Sequence, residues 1–316
     1  MPLKTYEALI ERLSETLAKE EPVQSIYQVG SVRHPGISDL DLVCIFNSDS
    51  AVDINVREQL TEDELYILTH NLFGIQQNNL ENSFRYSFYT GYRLVNGQEQ
   101  NIPNDPTQLI SEELKRQIAL EFMLKMYISM YTQITYRTIK LRAFLLEAKA
   151  IAFDLELLGI TLHKLKELVA EVNRWRDNWF STKPSKREIS TLFKHFFSEL
   201  EGVLSQEIGK GGFYLPYDHT AISRNILIRS GSSFKMAHKG IPMLSLLPFM
   251  NRKLLNLQNR FNSFRLEGPY STDFEGSVHE GRFLFYEQLW NKNKQFYPHF
   301  IPPTTGIRLW KPEDFQ

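Results

Sequence analysis

The segment from Val23 to Phe46 constrains the fold more than any other part of the chain. Val23-Gln24-Ser25-Ile26-Tyr27-Gln28-Val29 is a short β-prone run that stops at Gly30. A loop from Ser31 to Ser38, containing Pro35 and Gly36, leads into Asp39-Leu40-Asp41-Leu42-Val43-Cys44-Ile45-Phe46, a second strand. Strand side chains alternate between faces, so Asp39 and Asp41 project together while Leu40, Leu42 and Cys44 project oppositely. Two like charges held side by side are unfavourable unless a cation lies between them, and hard carboxylate oxygens suit Mg²⁺ or Mn²⁺. Gly30 lets the backbone approach a ligand closely, and Ser31 offers a hydroxyl and an amide to phosphate oxygens. Arg33 in the same loop is either a phosphate-neutralising charge or a solvated cation. His34, beside Pro35, reads as a loop residue.

The surroundings define what kind of chain carries this segment. Tyr6, Leu9, Ile10, Leu13 and Leu17 recur at helical spacing among Lys and Glu, which predicts an amphipathic surface helix and not a signal peptide. A capping box at Thr61 and Glu64, with Leu65, Leu68 and Leu72 behind it, predicts a further helix. Residues 84 to 102 return to β character, with Asn96-Gly97 as a hairpin turn. Pro103 and Pro106 break the pattern and place a domain boundary near residue 105. Beyond it, helical stretches are predicted from Ser111 towards Gly159, from Thr161, and after a second capping box at Ser185 and Glu188; two more are expected at 245 to 266 and 274 to 294. Trp175, Trp179, Phe193 and Phe197 fall on core-facing stripes, and Gly209-Lys210-Gly211-Gly212 lacks the ending of a phosphate-binding P-loop. Lys235, Lys239, Arg224 and Arg229 form either a solvated basic surface or a phosphate-facing one.

Gly30-Ser31, seven intervening residues and then Asp39-Leu40-Asp41-Leu42 resembles the signature of the DNA polymerase β-like nucleotidyltransferase superfamily. The resemblance covers about the first hundred residues. It implies an α+β fold in which a small mixed sheet with flanking helices, residues 1–105, is followed by a mostly helical domain, residues 106–316, forming the other wall of a cleft. It further implies that Gly30 and Ser31 hold a nucleoside triphosphate and that Asp39 and Asp41 bind the metal. The reaction implied is transfer of a nucleoside monophosphate to an acceptor hydroxyl with release of pyrophosphate. Such enzymes carry a third carboxylate on a later strand, yet Phe84 to Val95 contains no Asp or Glu. Asp53, Glu81 and Glu99 are the available substitutes, with Asp53 ranked first as the third catalytic acid on a strand beside Asp39. Without a third acid, the domain becomes a nucleotide-binding or regulatory module.

Composition narrows the partners. Lys plus Arg is 36 against 37 for Asp plus Glu, a net charge of −1, so a small-molecule, sugar or protein acceptor is favoured over long nucleic acid. The single cysteine, Cys44, excludes an intramolecular disulfide and fits a reducing, cytoplasmic setting. Alternating into the strand's apolar side, it is expected to be buried and inert. No stretch approaches the roughly 20 apolar residues of a membrane span, so no membrane partner is expected.

Overall fold

The structure is a computed structural model that describes residues 2–47, 53–161, 163–223, 225–242, 257–273, 275–293 and 295–299. It is a mixed α+β protein with two small mixed sheets, and the chain divides into two compact units. The first runs from the N-terminus to Leu114 and takes in the segment that begins at Gly281; the second comprises Lys115–Glu280. The boundary near residue 105 did not anticipate the return of the chain to the first unit.

In the first unit, helix α1 (Leu3–Leu17) buries Tyr6, Leu9, Ile10, Leu13 and Leu17, the stripe that its spacing predicts. Strands β1 (Val23–Val29) and β2 (Asp41–Phe46) pair antiparallel, with Val29 opposite Asp41. The chain then crosses over through helix α2 (Glu62–Ile67) to β3 (Phe73–Gln76), which pairs parallel to β2. Helix α3 (Gln77–Ser83) and β4 (Arg93–Gly97) follow, and β9 (Tyr297–Pro298) closes the order β4-β1-β2-β3-β9. Alternation divides the sheet's side chains between two cores. Leu40, Leu42, Cys44 and Phe46 join the α1 stripe, whereas Val43 and Ile45 pack with Phe73, Ile75, Leu80, Phe84, Phe285 and Leu289. Cys44 is fully buried, and burial pushes its thiol far above the ordinary range, so it is inert as expected.

Three local expectations are corrected. Asn96-Gly97 is not a hairpin turn: both residues lie in β4, where Asn96 faces Ile26 and Gly97 faces Ser25, and the register shifts between Asn96 and Leu94. Gly97 has φ 91°, and a Cβ there would come within 2.1 Å of the Gln24 carbonyl oxygen, so only glycine lets the end of β4 pass this close to the chain before β1's Ser25. Of the β character assigned to 84 to 102, only Arg93–Gly97 is strand. The helix after Thr61 has its capping box, but Leu68 caps its C-terminus and Leu72 precedes β3.

The second unit holds helices α4 (Glu112–Thr135), which starts in the first unit's last residues, α5 (Leu141–Ala148), α6 (Ile151–Leu157), α7 (Lys164–Asn178) and α8 (Lys186–Gly209). Phe144 packs edge-on against Phe193 and Phe196, and Tyr127 stacks on Phe197. The α8 capping box at Ser185 and Glu188 forms as predicted. On α7 the buried positions are Leu165, Leu168, Val169, Val172 and Arg176, while Trp175 and Trp179 are only half-buried. Helices do not complete this unit. Strands β5 (His219–Ser223), β6 (Ile226–Ser230), β7 (Lys235–Gly240) and β8 (Asn262–Gly268) form a sheet in the order β5-β6-β8-β7. The expected helix at 245 to 266 lies partly outside the described residues, and its end is strand β8. The last helix, α9 (Val278–Lys292), matches its expected position.

Candidate metal centre

The site forms where β1 ends and β2 begins. Because Val29 faces Asp41 across the antiparallel pair, Gly30 and Ser31 leave the sheet beside the two carboxylates. Gly30 has φ 67° and donates its N–H to the Thr90 carbonyl, 3.1 Å away. Its amide is therefore occupied, and the donors left for a ligand are those of Ser31. Among the described residues neither the N–H nor the hydroxyl of Ser31 has a protein partner. Arg33 follows on the exposed part of the loop.

The loop that carries the acids is held from outside. The Tyr6 hydroxyl donates to the Ser38 carbonyl at 2.7 Å and accepts from the Gly36 N–H at 3.0 Å, while the Leu40 N–H donates to the Ile67 carbonyl at 3.2 Å. The Tyr66 hydroxyl donates to the Gly36 carbonyl at 2.8 Å. Helices α1 and α2 thus fix the entry to β2, and Leu40 and Leu42 anchor it in the core.

Asp39, Asp41 and His70 come together here: one ligand atom from each lies within 4.8 Å of the others, and all three residues are half-buried. His70 sits between the end of α2 and the start of β3, the parallel neighbour of β2. Its Nε2 is 2.9 Å from Asp41 Oδ1, and its Nδ1 is 2.7 Å from the Asn71 carbonyl oxygen. A carbonyl can only accept, so Nδ1 carries a proton and Nε2 faces the carboxylates. The Thr69 hydroxyl donates to Asp39 Oδ2 at 3.4 Å. Burial lowers the His70 pKa, but the hydrogen bond and charge of Asp41, the Asn71 carbonyl and the Asp39 charge outweigh it, and the net shift is upward. The ring also packs against Phe73 and Tyr297, with centroids 5.0 and 6.1 Å away. Tyr89 stays protonated on the same side of the sheet, held so by burial first and then by the Asp41 charge and its neighbours.

The arrangement brings Asp39, Asp41, Gly30 and Ser31 to one end of the β1–β2 pair and leaves Asp53 out. Both positions beside β2 are filled, by β1 and β3, so no strand carrying Asp53 lies there. Asp53 is instead exposed ahead of a 3₁₀ turn at Val56–Gln59, accepts a 3.4 Å hydrogen bond from Gln295 Nε2, and is not in the ligand group. Glu81 on α3 and Glu99 beyond β4 are exposed and also lie outside that group. Sequence reasoning missed His70. The available signal was a histidine two residues before the apolar run Leu72-Phe73-Gly74-Ile75, hidden because the helix was expected to continue through Leu72.

Two carboxylate oxygens and one oriented imidazole nitrogen are a donor set that fits a divalent cation. Among the described residues no helix is long and apolar enough to cross a membrane. No family model, curated protein or solved structure matches the chain.

Proposed function

We propose that the first unit is a nucleotidyltransferase-type domain that moves a nucleoside monophosphate from a nucleoside triphosphate to an acceptor hydroxyl and releases pyrophosphate. The observation that carries this reading is the register of β1 on β2. It supports the reading because the donors of Ser31 leave β1 on the side where Asp39 and Asp41 enter β2, as a phosphate-binding turn beside a cation-holding pair would require. Asp39 and Asp41 hold the cation, Mg²⁺ or Mn²⁺, by their oxygens. When bound, such a cation offsets the phosphates' charge and the charge that develops on the leaving pyrophosphate. The Ser31 amide and hydroxyl orient the triphosphate, and Gly30 keeps side-chain bulk out of its path. Arg33 is placed on the same loop to meet a phosphate from solvent. The chain's near-zero net charge favours a small-molecule, sugar or protein acceptor over long nucleic acid.

The test is pyrophosphate release across a panel of nucleoside triphosphates and acceptor hydroxyls, with Asp39→Asn and Asp41→Asn as controls. Turnover that survives both substitutions rejects the proposal. A second reading has one specific observation in its favour: among the described residues no third carboxylate joins the group. On that reading the domain binds a cation–nucleotide complex without turning it over. Nucleotide-dependent thermal stabilisation with no pyrophosphate release in any combination would select it.

A further inference from the structure

The geometry points to His70 as the third ligand of this centre, and we propose that it makes the site prefer a first-row transition dication, Mn²⁺ or Zn²⁺, over Mg²⁺. The inference rests on the reading of Asp39 and Asp41 as a cation-holding pair, but it concerns which cation they hold.

The strands flanking β2 supply no oxygen anion. β1 reads Val-Gln-Ser-Ile-Tyr-Gln-Val and β3 reads Phe-Gly-Ile-Gln, so neither neighbour of the Asp39 and Asp41 strand carries an acid. The group that does reach the pair is an imidazole. A histidine that serves as a ligand is oriented by a second hydrogen bond from its other ring nitrogen, commonly to a backbone carbonyl, and that bond selects the tautomer and raises basicity. His70 has this bond, from Nδ1 to the Asn71 carbonyl at 2.7 Å, made outside the donor group. Phe73 and Tyr297 hold the ring plane, and its side chain remains 27% exposed, which leaves a path for an ion. Mg²⁺ demands near-octahedral oxygen and keeps its waters, whereas Mn²⁺ and Zn²⁺ accept imidazole nitrogen alongside carboxylate. A two-oxygen, one-nitrogen site therefore discriminates by ligand type.

The experiment titrates the metal-stripped full chain with Mg²⁺, Mn²⁺ and Zn²⁺ separately, in the absence of nucleotide, for wild type, His70→Ala and His70→Asp. The expected result is tighter binding of Mn²⁺ and Zn²⁺ than of Mg²⁺ by about 10-fold or more in wild type. His70→Ala should lose about 10-fold to 100-fold of the Mn²⁺ and Zn²⁺ affinity, and His70→Asp should shift the preference towards Mg²⁺. Electron paramagnetic resonance of the Mn²⁺ form should show nitrogen hyperfine coupling in wild type and none in His70→Asp. Equal affinity for Mg²⁺ in wild type, unchanged Mn²⁺ and Zn²⁺ binding in a folded His70→Ala, or no nitrogen coupling would each overturn the proposal. If His70→Ala does not fold, the coupling in wild type and the preference of His70→Asp decide. Failure of the function reading looks different: metal preference as expected but no pyrophosphate release rejects the reaction and leaves the ligand assignment standing.

Discussion

The two units each gather carboxylates, and they treat them in opposite ways. In the second unit Glu207 is buried, and both its oxygens are occupied, Oε2 by Arg116 Nη1 at 2.8 Å and Oε1 by Lys210 Nζ at 2.6 Å. Burial alone would raise its pKa, but the hydrogen bonds from Arg116 and Lys210 and their charges reverse this, and the carboxyl sits below its ordinary range. In the first unit Asp39 and Asp41 stand half-exposed, side by side, with one histidine between two like charges. A saturated carboxylate contributes to stability and has no capacity left for a ligand. Two like charges held side by side cost stability until a cation lies between them, which is why the first cluster and not the second is proposed as a functional site.

The sharpest way to break this contrast is to remove one of the two cations that saturate Glu207. Arg116→Ala takes away a charge-assisted bond to the carboxylate and another, at 2.5 Å, from Nη2 to the Glu207 carbonyl oxygen. Losing these charge-assisted bonds while Lys210 still holds Oε1 should cost about 2 kcal/mol. Denaturant unfolding at neutral pH checks it, and a loss no larger than an exposed ion pair gives would mean that the cluster is not saturated as described.

The converse substitution belongs to the first unit. Asp39→Asn removes a ligand and also the like-charge repulsion within the pair, so divalent cation affinity should fall at least about tenfold while the melting temperature of the metal-free protein holds or rises. Asp41→Asn should lose the same affinity but also its 2.9 Å pair with His70, a partly exposed contact worth about 1 kcal/mol or less. Calorimetry and melting curves on the two variants separate these effects. A large stability loss in Asp39→Asn would place the pair among structural carboxylates.

How much of this was open to reading from the chain follows the same division. The Asp39 and Asp41 pair was legible because period-two alternation is local: it needs only Leu40, Leu42 and Cys44 between polar neighbours. The α1 stripe and both capping boxes were legible for the same reason. His70 was not, because its role depends on a parallel crossover that sets β3 beside β2, and Phe73-Gly74-Ile75-Gln76 is too short, and too marked by its glycine, to announce a strand. Asn96-Gly97 misled because the positive φ that lets glycine close a hairpin turn also suits the end of a strand that passes close to the Gln24 carbonyl, and only the pairing with β1 distinguishes them. The segment from Gly281 onward shows the limit most plainly: Phe285, Leu289 and Phe296 fill cores of the first unit, a placement that sequence distance conceals.

A smaller effect sharpens the phosphate side of the comparison. A Cβ on Gly30 would meet nothing within 4 Å, but the backbone there has φ 67°, so Gly30→Ala should cost about 1 kcal/mol of stability through strain alone. Gly30→Val adds bulk in the same open space. If that space admits a triphosphate, nucleotide affinity should fall more in Gly30→Val than in Gly30→Ala, and both should fall more than in Ser31→Ala. Equal nucleotide affinity in wild type and Gly30→Val would remove the turn from the site.

The smallest expected effect lies wholly within the second unit and tests whether saturation, and not burial alone, is what separates the two kinds of carboxylate. Asp154 on α6 is 5% exposed, as deeply placed as Glu207, yet its Oδ2 has no hydrogen-bond partner, and burial raises its pKa well above the ordinary 3.8. An acid whose pKa rises on folding keeps a proton that the unfolded chain has already released. Its contribution is therefore fully present below the unfolded carboxylate range and is lost as pH rises through the folded value. Glu207, with its pKa lowered, has the opposite slope: its contribution is present above the unfolded range and is lost as pH falls through the folded value. Asp154→Asn keeps the shape and removes the ionisation. Its melting temperature should match wild type near pH 4 and move ahead by a few degrees as pH is raised towards 8, while Glu207→Gln should fall behind wild type most at neutral pH and converge with it in acid. Parallel pH profiles in the two variants would show that burial governs both residues, and the distinction between filled and unfilled carboxylates would lose its physical basis.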